Sequence, residues 1–185
     1  TFNLKPFSFK HTGLFPEQAA NWDWFSDKIK KAGRPIKVLN LFAYTGGATL
    51  AAKAAGADVT HVDSVKQVVT WSRENMERSG LEGVRWIVED ALKFVNREVR
   101  RGNRYDGIIM DPPSYGRGPS GEIWKMETSF YPFLLEVAKL LSDDPLFVII
   151  NSYTTGLAPS AVGYASDVVF GGIHGGSTAV GELGL

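Results

Sequence analysis

The chain has 185 residues, 44% of them hydrophobic and 22% charged, and its 20 Lys and Arg balance its 20 Asp and Glu. These totals suit one globular domain with a sizeable core and give no overall positive field for a polyanion, although a local basic patch can still bind one. The sequence has no cysteine, which excludes disulfides, zinc–thiolate sites and a thiol nucleophile.

No apolar run reaches the roughly 20 residues that span a bilayer, and no signal peptide is visible. The sequence therefore predicts a cytoplasmic protein with no membrane partner. Because the chain begins at Thr1 and ends in a pattern typical of a strand or hairpin, at residues 181–185, we expect a fragment of a longer protein.

Apolar runs alternate with helical patterns along most of the chain. Strands are predicted at 36–42, 58–62, 84–88, 106–110 and 146–150, and helices at 17–32, 48–55, 65–79, 91–101, 128–141 and 160–170. A long loop is predicted up to about Met126, and a further strand from Thr178. The alternation predicts an α/β fold over residues 17–185, with a Rossmann-like, doubly wound, mainly parallel sheet truncated at its C-terminal strands. Residues 1–16 are predicted to be a segment that contributes to a cofactor site.

The first of four motifs at strand ends is the turn at 43–47, Ala-Tyr-Thr-Gly-Gly, which opens an Ala-rich helix. Ligands bind at such strand ends, and a glycine turn before a helix presents free N–H groups to a nucleotide-like cofactor. The glycines lack the Gly-x-Gly-x-x-Gly spacing of dinucleotide sites. This disfavours an NAD-dependent enzyme and favours a phosphate-free cofactor such as S-adenosylmethionine. A structural turn without a ligand is the alternative.

The next two strands end in acidic residues. Asp63, which Ser64 follows, can accept hydrogen bonds from both ribose hydroxyls of an adenosine, or can cap the next helix. Asp90, which Ala91 follows, can accept a hydrogen bond from the exocyclic amine of adenine, or can likewise cap a helix.

The fourth motif is Asp111-Pro112-Pro113-Ser114-Tyr115, which ends the strand at 106–110. Two prolines impose an extended backbone without N–H donors, so we expect Asp111 and the nearby carbonyls to face the cavity as acceptors. Tyr115 offers a ring on which a planar base can stack. The candidate catalytic residues are therefore Asp111, Pro112, Pro113 and Tyr115, with a plain strand-ending turn as the alternative.

In this order the motifs resemble those of the Rossmann-like, class I S-adenosylmethionine-dependent methyltransferases, over about residues 9–155. The sequences at 41–47, 62–63 and 111–113 are similar to the branch that contains large-subunit ribosomal RNA methyltransferases, including cytosine carbon-5 and guanine ring-nitrogen enzymes. Residues 11–18 approximate an upstream Lys-Thr-Gly-x-Phe-x-Asp-Gln element of that branch. The resemblance implies RNA, and rRNA in particular, as the partner. The cofactor site that these residues and the resemblance together predict consists of Phe15, Gln18, Asn40, Ala43, Tyr44, Thr45, Gly46, Gly47, Asp63, Ser64, Asp90, Ala91 and Asp111.

One departure from that branch changes the expected chemistry. Its cytosine carbon-5 members attack the base with a cysteine after the fifth strand, where residues 151–155 here are Asn-Ser-Tyr-Thr-Thr. Without a thiolate that route is disfavoured. We therefore expect direct transfer to a base nitrogen, with Asp111 orienting an exocyclic amine and Tyr115 holding the base. The alternatives are a methyltransferase of proteins or small molecules, and a cofactor-binding module without activity.

The remaining features either allow two interpretations or indicate no catalytic role. A basic run on and just after the helix at 91–101 predicts either a phosphate-binding edge or a solvated helix face; it consists of Lys93, Arg97, Arg100, Arg101 and Arg104. Core or domain-contact positions are predicted for Trp22, Trp24, Tyr131 and Phe133, and Tyr44 is placed either in the core or against a methionine moiety. His11, His61 and His174 have no metal-ligand spacing, so no metal site is predicted.

Overall fold

The computed structural model describes residues 2–4, 13–117, 121, 123–173 and 175–184. The strands of the described chain are β1 Lys37–Leu41, β2 Asp58–Asp63, β3 Val84–Val88, β4 Gly107–Met110, β5 Tyr115–Arg117, β6 Ile123–Lys125 and β7 Phe147–Ile150. The helices are α1 Ala19–Lys31, α2 Gly47–Ala54, α3 Lys66–Arg78, α4 Ala91–Arg100, α5 Met126–Ala138 and α6 Pro159–Ser166. A 3₁₀ turn at Pro16–Gln18 precedes α1, and a π-helical turn at Asp167–Gly171 continues α6. His11 and His174, with most of the predicted segment 1–16, lie outside the described residues.

The main sheet has five parallel strands in the order β3-β2-β1-β4-β7. The order reverses between β1 and β4, and in doubly wound sheets ligands bind in the crevice at that reversal. Side chains alternate between two cores, one on each face of the sheet. Leu39 and Leu41 pack with α4 and α5, whereas Val38 packs with α1, α2 and α3. The predicted fold class is therefore confirmed, and the site belongs at the carboxyl ends of β1 and β4.

The stretch predicted as one long loop up to Met126 contains an antiparallel ribbon, in which Tyr115 pairs with Lys125. Each strand has only three residues, too few for a period-2 pattern to be recognised. The ribbon is held by Trp124, whose indole N–H donates to the Pro113 carbonyl at 2.6 Å. The Trp124 ring also packs 5.5 Å from Phe42 and 5.4 Å from Phe133. Tertiary packing therefore orders a segment that has no local signal.

One other prediction is wrong. Residues 178–184 belong to no strand, and the side chain of Val180 lies over Gly163 of α6 instead of pairing in the sheet. Among the aromatics predicted for the core or a domain contact, Phe133 is buried, whereas Trp24 and Tyr131 are about half exposed, and the Trp24 ring packs 5.9 Å from that of Phe147. No helix in the described ranges is long and apolar enough to cross a membrane.

The basic run of α4 belongs partly to a buried ion-pair network. Arg97 pairs with Glu89, and Arg101 lies 3.5 Å from the carboxylate of Glu98. Glu98 is fully buried and accepts hydrogen bonds from Arg85 at 3.1 Å, Asn103 at 2.8 Å and Tyr105 at 2.8 Å. At least two of the five predicted phosphate ligands are thus already paired, which favours the interpretation as a helix face over that as a phosphate-binding edge.

Glu98→Ala is expected to destabilise the fold by about 2–3 kcal/mol, because the hydroxyl of Tyr105 and the guanidinium of Arg85 lose their common acceptor. The bonds from Arg85, Tyr105 and Asn103 outweigh the opposing effect of burial and hold the pKa of Glu98 below its usual range. A depressed carboxyl pKa contributes stability above the unfolded pKa, and that stability is lost as the pH falls through the folded pKa. Urea unfolding at pH 7 and at pH 3–4 checks both points. A Glu98→Ala variant as stable as the parent at pH 7 would contradict the network's role.

Candidate cofactor site

A cavity opens at the carboxyl ends of β1 and β4, where the strand order reverses. Its walls come from the N-terminal turn, α1, β1 and the loop after it, α2, β4 and the residue after β7. They consist of Leu14, Phe15, Gln18, Trp22, Asn40, Phe42, Ala43, Tyr44, Thr45, Gly47, Ala48, Ile109, Asp111 and Asn151. Predicted residues from three separate parts of the sequence therefore meet in one place.

The loop between β1 and α2 has an unusual backbone. Phe42 and Tyr44 have φ values of 54° and 48°, and Gly46 has φ 88°. Left-handed conformations cost about 1–3 kcal/mol each at non-glycine residues, so they persist only where the surroundings enforce them. Here Ser72 of α3 donates to the Tyr44 carbonyl at 2.6 Å, and Asn75 donates to the Thr45 carbonyl at 3.2 Å. This loop is thus preformed in the shape that the cavity requires.

Asp63 supports the same loop from β2. One carboxylate oxygen accepts the backbone N–H of Tyr44 at 3.0 Å, and the other accepts that of Val65 at 2.9 Å. Burial raises the pKa of Asp63, although these two bonds oppose the rise. A carboxylate offers about four lone-pair positions, so two remain for further donors. Asp63 lies behind the turn and does not line the cavity itself, and Ser64 is exposed. The ribose contacts of both residues stay predictions.

Asp90 has the capping geometry that the sequence allowed. It is the N-cap of α4, and its side chain accepts the backbone N–H of Lys93 at 3.0 Å. Ala91 is the first residue of α4 and is buried in the core. Neither residue lines the cavity as it stands, so the adenine contact of this pair remains a prediction.

A buried polar chain holds the cavity wall at Asn40. The Asn40 amide donates to the Thr49 hydroxyl at 2.9 Å, and the Thr49 oxygen lies 2.9 Å from Nδ1 of His61. Burial lowers the pKa of His61 to about 3, so its ring is neutral. The direction of the hydrogen bond between Thr49 and Nδ1 depends on the ring tautomer, and Nε2 is buried without a partner among the described residues. His61 therefore acts at a distance from the cavity, by orienting Asn40 through Thr49.

Gly47→Ala is expected to weaken cofactor binding about 10- to 100-fold. A Cβ at Gly47 would lie 2.7 Å from Cζ2 of Trp22, which lines the same cavity, so either the ring or the start of α2 must move. Calorimetry with S-adenosylhomocysteine measures the loss. Gly172→Ala, where a Cβ meets open space and φ is −84°, is the matched control. Adding Trp22→Phe, which removes Cζ2, should restore part of the affinity. Unchanged binding by Gly47→Ala alone would contradict this packing.

Asp111 lies at the end of β4 in the cavity wall. Its carboxylate has no hydrogen-bond partner within the described part of the chain, and burial together with the nearby charge of Glu17 raises its pKa to about 6. The expectation that the carbonyls of the proline pair face the cavity is wrong for Pro113, whose oxygen accepts the Trp124 indole. Pro112 is buried, and neither proline lines the cavity. The proline pair therefore directs the backbone, and Asp111 is the residue of this motif that lines the cavity.

A second, open cavity of about 590 Å³ adjoins the proline motif. Tyr115 lies in its wall, half exposed, with its hydroxyl accepting a hydrogen bond from Nε of Arg117 at 2.9 Å. The wall consists of Ser114, Tyr115, Lys125, Glu127, Thr154 and Thr155. Ser114 and Thr154, from opposite sides, are joined by a hydroxyl hydrogen bond of 2.9 Å. Tyr115 thus belongs to this open cavity and not to the one that Asp111 lines.

Several residues of the site escaped sequence analysis. The sequence predicts Trp22 for the core or a domain contact, Asn151 for the segment that replaces a cysteine element, and Phe42 for the end of a strand, yet all three line the cavity. Leu14, Ala48 and Ile109 complete the set. A polar residue directly after β7 was a usable signal for Asn151, because all strand ends of a parallel sheet meet at one edge. No local pattern distinguishes Trp22 from the other aromatics of its helix.

A family model of S-adenosylmethionine-dependent methyltransferases matches residues 1–169. The chain belongs to this family. A structure of such a methyltransferase from Agrobacterium tumefaciens is 43% identical, with a TM-score of 0.86 over 89% of this chain and 53% of that one. A second, SMU.776 in complex with SAH, is 26% identical, with a TM-score of 0.75 over 87% of this chain and 42% of that one.

Curated relatives share the same region. The ribosomal RNA large subunit methyltransferase K/L of Shewanella frigidimarina is 30% identical over 155 residues, which are 82% of this chain and 21% of that protein. The K/L protein of Shewanella loihica is 35% identical over 132 residues, 70% of this chain and 17% of that protein. The chain thus spans about a fifth of the length of these relatives.

S-adenosylmethionine is the methyl donor of this family, and the cavity fits it. Gly47 leaves space for the ring of Trp22, which lines the cavity at the start of α2, since a Cβ at Gly47 would lie 2.7 Å from Cζ2 of that ring. Phe15 and Tyr44, with ring centroids 5.8 Å apart, provide aromatic faces, and Asp111 provides a carboxylate. Aromatic faces and a carboxylate are both suited to binding a sulfonium cation. The turn offers no glycine cradle for a pyrophosphate, as the sequence predicted.

Proposed function

We propose that this chain methylates a base nitrogen in RNA, with ribosomal RNA as the substrate, by direct transfer from S-adenosylmethionine. The observation that carries the proposal is the position of Asp111. Its carboxylate lies in the wall of the cofactor cavity, without a hydrogen-bond partner among the described residues, at the strand end next to an open cavity. An unpartnered acceptor at that point suits an exocyclic amine.

The chemistry requires positioning more than activation. A sulfonium methyl group is already electrophilic, so the protein must hold the acceptor nitrogen in line with it. Asp111 accepts a hydrogen bond from the amine and thereby orients its lone pair. Tyr115, half exposed beside the motif, offers its face to the base. The absence of cysteine from the chain disfavours a covalent thiolate adduct with the ring.

The proposed cofactor contacts follow from the strand ends. Asp63 takes the ribose hydroxyls with its two remaining lone-pair positions, with Ser64 beside it, and Asp90, with Ala91, takes the adenine amine. The methionine moiety lies along the turn at 43–47, between Tyr44 and the N-terminal residues Phe15 and Gln18. Binding of S-adenosylhomocysteine tests these contacts, because this compound occupies the cofactor site without turnover.

RNA as the substrate rests on the names of the K/L relatives, which share the region of the cofactor site. An rRNA substrate would place the protein in the cytoplasm, as the sequence predicted.

The alternative is a protein or small-molecule substrate. It is favoured by the balanced charge of the chain and by the ion pairs of Arg97 and Arg101, which neutralise part of the basic face. A cofactor-binding module without activity would need no unpartnered carboxylate at Asp111.

The deciding experiment uses cells that lack the complete gene. Mass spectrometry of nucleosides from their rRNA should show one methylated base missing, and the purified full-length protein with labelled S-adenosylmethionine should restore it. Label that enters protein instead of rRNA would replace the substrate proposal by the alternative. Binding of S-adenosylhomocysteine without transfer to rRNA, protein or small-molecule extract would leave the binding module as the function.

A further inference from the structure

The phenol of Tyr153 connects the loop after β7 with the N-terminal turn. Its oxygen lies 2.9 Å from Oε1 of Glu17 and 2.8 Å from Nε2 of Gln18. Gln18 is buried and belongs to the wall of the cofactor cavity, whereas Tyr153 is half exposed and lies outside that wall. A tyrosine outside the cavity is thus hydrogen-bonded directly to a residue that lines it.

The chemistry of these groups fixes the direction of each hydrogen bond. A carboxylate can only accept, so the phenol donates its one hydrogen to Glu17 and must accept from Nε2 of Gln18. The other end of the Gln18 amide, Oε1, accepts from the amide of Asn21 at 2.9 Å. Asn21 also donates to Oδ1 of Asn151 at 3.0 Å. One orientation of the Gln18 amide therefore satisfies all of its partners.

The segment that carries Gln18 is fixed at both of its ends. At one end, the Thr45 hydroxyl donates to the carbonyl of Gly13. At the other end, the Tyr153 ring packs 5.4 Å from that of Phe15, which lines the cavity. Residues 13–18 are thus held between the loop after β1 and the loop after β7, and Tyr153 provides the second attachment by its ring and by its hydroxyl.

The amide nitrogen of Gln18 carries a second hydrogen. Within the described ranges, Nε2 donates to Tyr153 only, so this hydrogen is available to a ligand in the cavity that Gln18 lines. A carboxylate suits it best, because hydrogen bonds to an ionised acceptor are stronger than those to a neutral one. S-adenosylmethionine has one carboxylate, on its methionine moiety, and no other anionic group.

We propose that Tyr153 is a positioning residue for the cofactor, whose hydroxyl takes one Nε2 hydrogen of Gln18 and leaves the other to bind the carboxylate of the methionine moiety. The proposal deepens the proposed function, because it rests on the placement of that moiety beside Phe15 and Gln18. Tyr153 acts through Gln18 and not by contact with the cofactor. Without the hydroxyl, the Gln18 amide can turn or pair with water, so its donor is no longer held in one orientation.

The first test compares the binding of two ligands to the full-length protein by calorimetry. S-adenosylhomocysteine has the carboxylate, whereas methylthioadenosine has the adenosine and the sulfur but no amino-acid part. Tyr153→Phe should bind S-adenosylhomocysteine about 3- to 10-fold more weakly, because one orienting hydrogen bond is lost, and methylthioadenosine within about twofold of the parent. Tyr164→Phe, an exposed tyrosine on α6, is the matched control and should bind both as the parent does. An equal loss for both ligands, or no loss for either, overturns the proposal.

The second test asks whether Tyr153 acts through Gln18. Gln18→Met keeps the length of the side chain but has no amide, so it should weaken binding of S-adenosylhomocysteine at least as much as Tyr153→Phe. The double variant should bind no more weakly than Gln18→Met alone, because both changes remove the same contact. Additive losses overturn the proposal.

Turnover gives a third measurement that a general loss of structure would not reproduce. Tyr153→Phe should raise the KM for S-adenosylmethionine about 3- to 10-fold and leave kcat within about twofold of the parent, because the hydroxyl supports binding and not transfer. A fall in kcat with an unchanged KM contradicts the positioning role. Neither binding test needs an acceptor. Should the parent methylate no rRNA, the proposed substrate fails, and the binding tests still decide the role of Tyr153.

Discussion

Asp111→Ala is expected to lower the rate of methyl transfer about 10²–10³-fold while the dissociation constant of S-adenosylhomocysteine changes little. The carboxylate lies in the cavity wall with no other partner among the described residues, so its loss removes an acceptor and leaves no group to replace it. Asp111→Asn should retain part of the activity, because an amide oxygen still accepts a hydrogen bond but cannot take the released proton. Single-turnover transfer of a labelled methyl group to rRNA measures the rate.

The pH dependence of the same reaction gives an independent check. Since burial and Glu17 raise the pKa of Asp111 to about 6, the parent's kcat/KM should rise with pH through about 6, as the carboxylate form becomes populated. Asp111→Asn should lose that limb of the profile. Asp143→Ala, an exposed position in the turn after α5, is the control and should behave as the parent. Full activity of Asp111→Ala would remove this residue from the mechanism.

The raised pKa of Asp111 also has a consequence for stability. A carboxyl whose folded pKa lies above its unfolded value stabilises the fold at low pH, and that stability is lost as the pH rises through the folded pKa. The window here is from about pH 4 to about pH 6. Asp111→Asn should therefore be more stable than the parent at pH 8 although it is less active. This is the trade-off expected where a buried charge serves function and not folding.

Phe133→Ala is expected to have the largest effect on stability, about 3–5 kcal/mol. The ring is buried on α5 and packs 5.6 Å from Phe42 and 5.4 Å from Trp124. Its removal leaves a cavity between the core, the strained loop after β1 and the ribbon β5–β6. Urea unfolding of the complete protein measures the loss.

Two variants serve as controls for the prediction on Phe133→Ala. Phe133→Leu, which fills most of the volume, should cost less than about half as much. Tyr131→Ala, on the exposed side of the same helix, should cost no more than about 0.5 kcal/mol. If Phe133→Ala and Tyr131→Ala were equally mild, the aromatic cluster would not be part of the core.

Much of the fold was predictable because its signals are local. The buried strands β1 and β4 are apolar runs that end in turns, and helices α2 and α4 begin at a glycine turn and at a capping acid. The short ribbon β5–β6 was not predictable, because strands of three residues are too short to show an alternating pattern of side chains. The role of Trp124 is visible only in the tertiary structure, where Pro113 and Phe42 lie against it.

The sequence by itself determined the family, the parallel sheet and the acids that end its strands, because strand ends and glycine turns are properties of adjacent residues. Only the tertiary structure decided which of these residues share a cavity, that Asp63 and Asp90 also support backbone N–H groups, and that Tyr115 lines a separate open cavity. It alone brought Glu17, Asp111 and Tyr153 into one corner. Glu17 and Tyr153 meet there across 136 residues of chain, and no local pattern encodes such a contact.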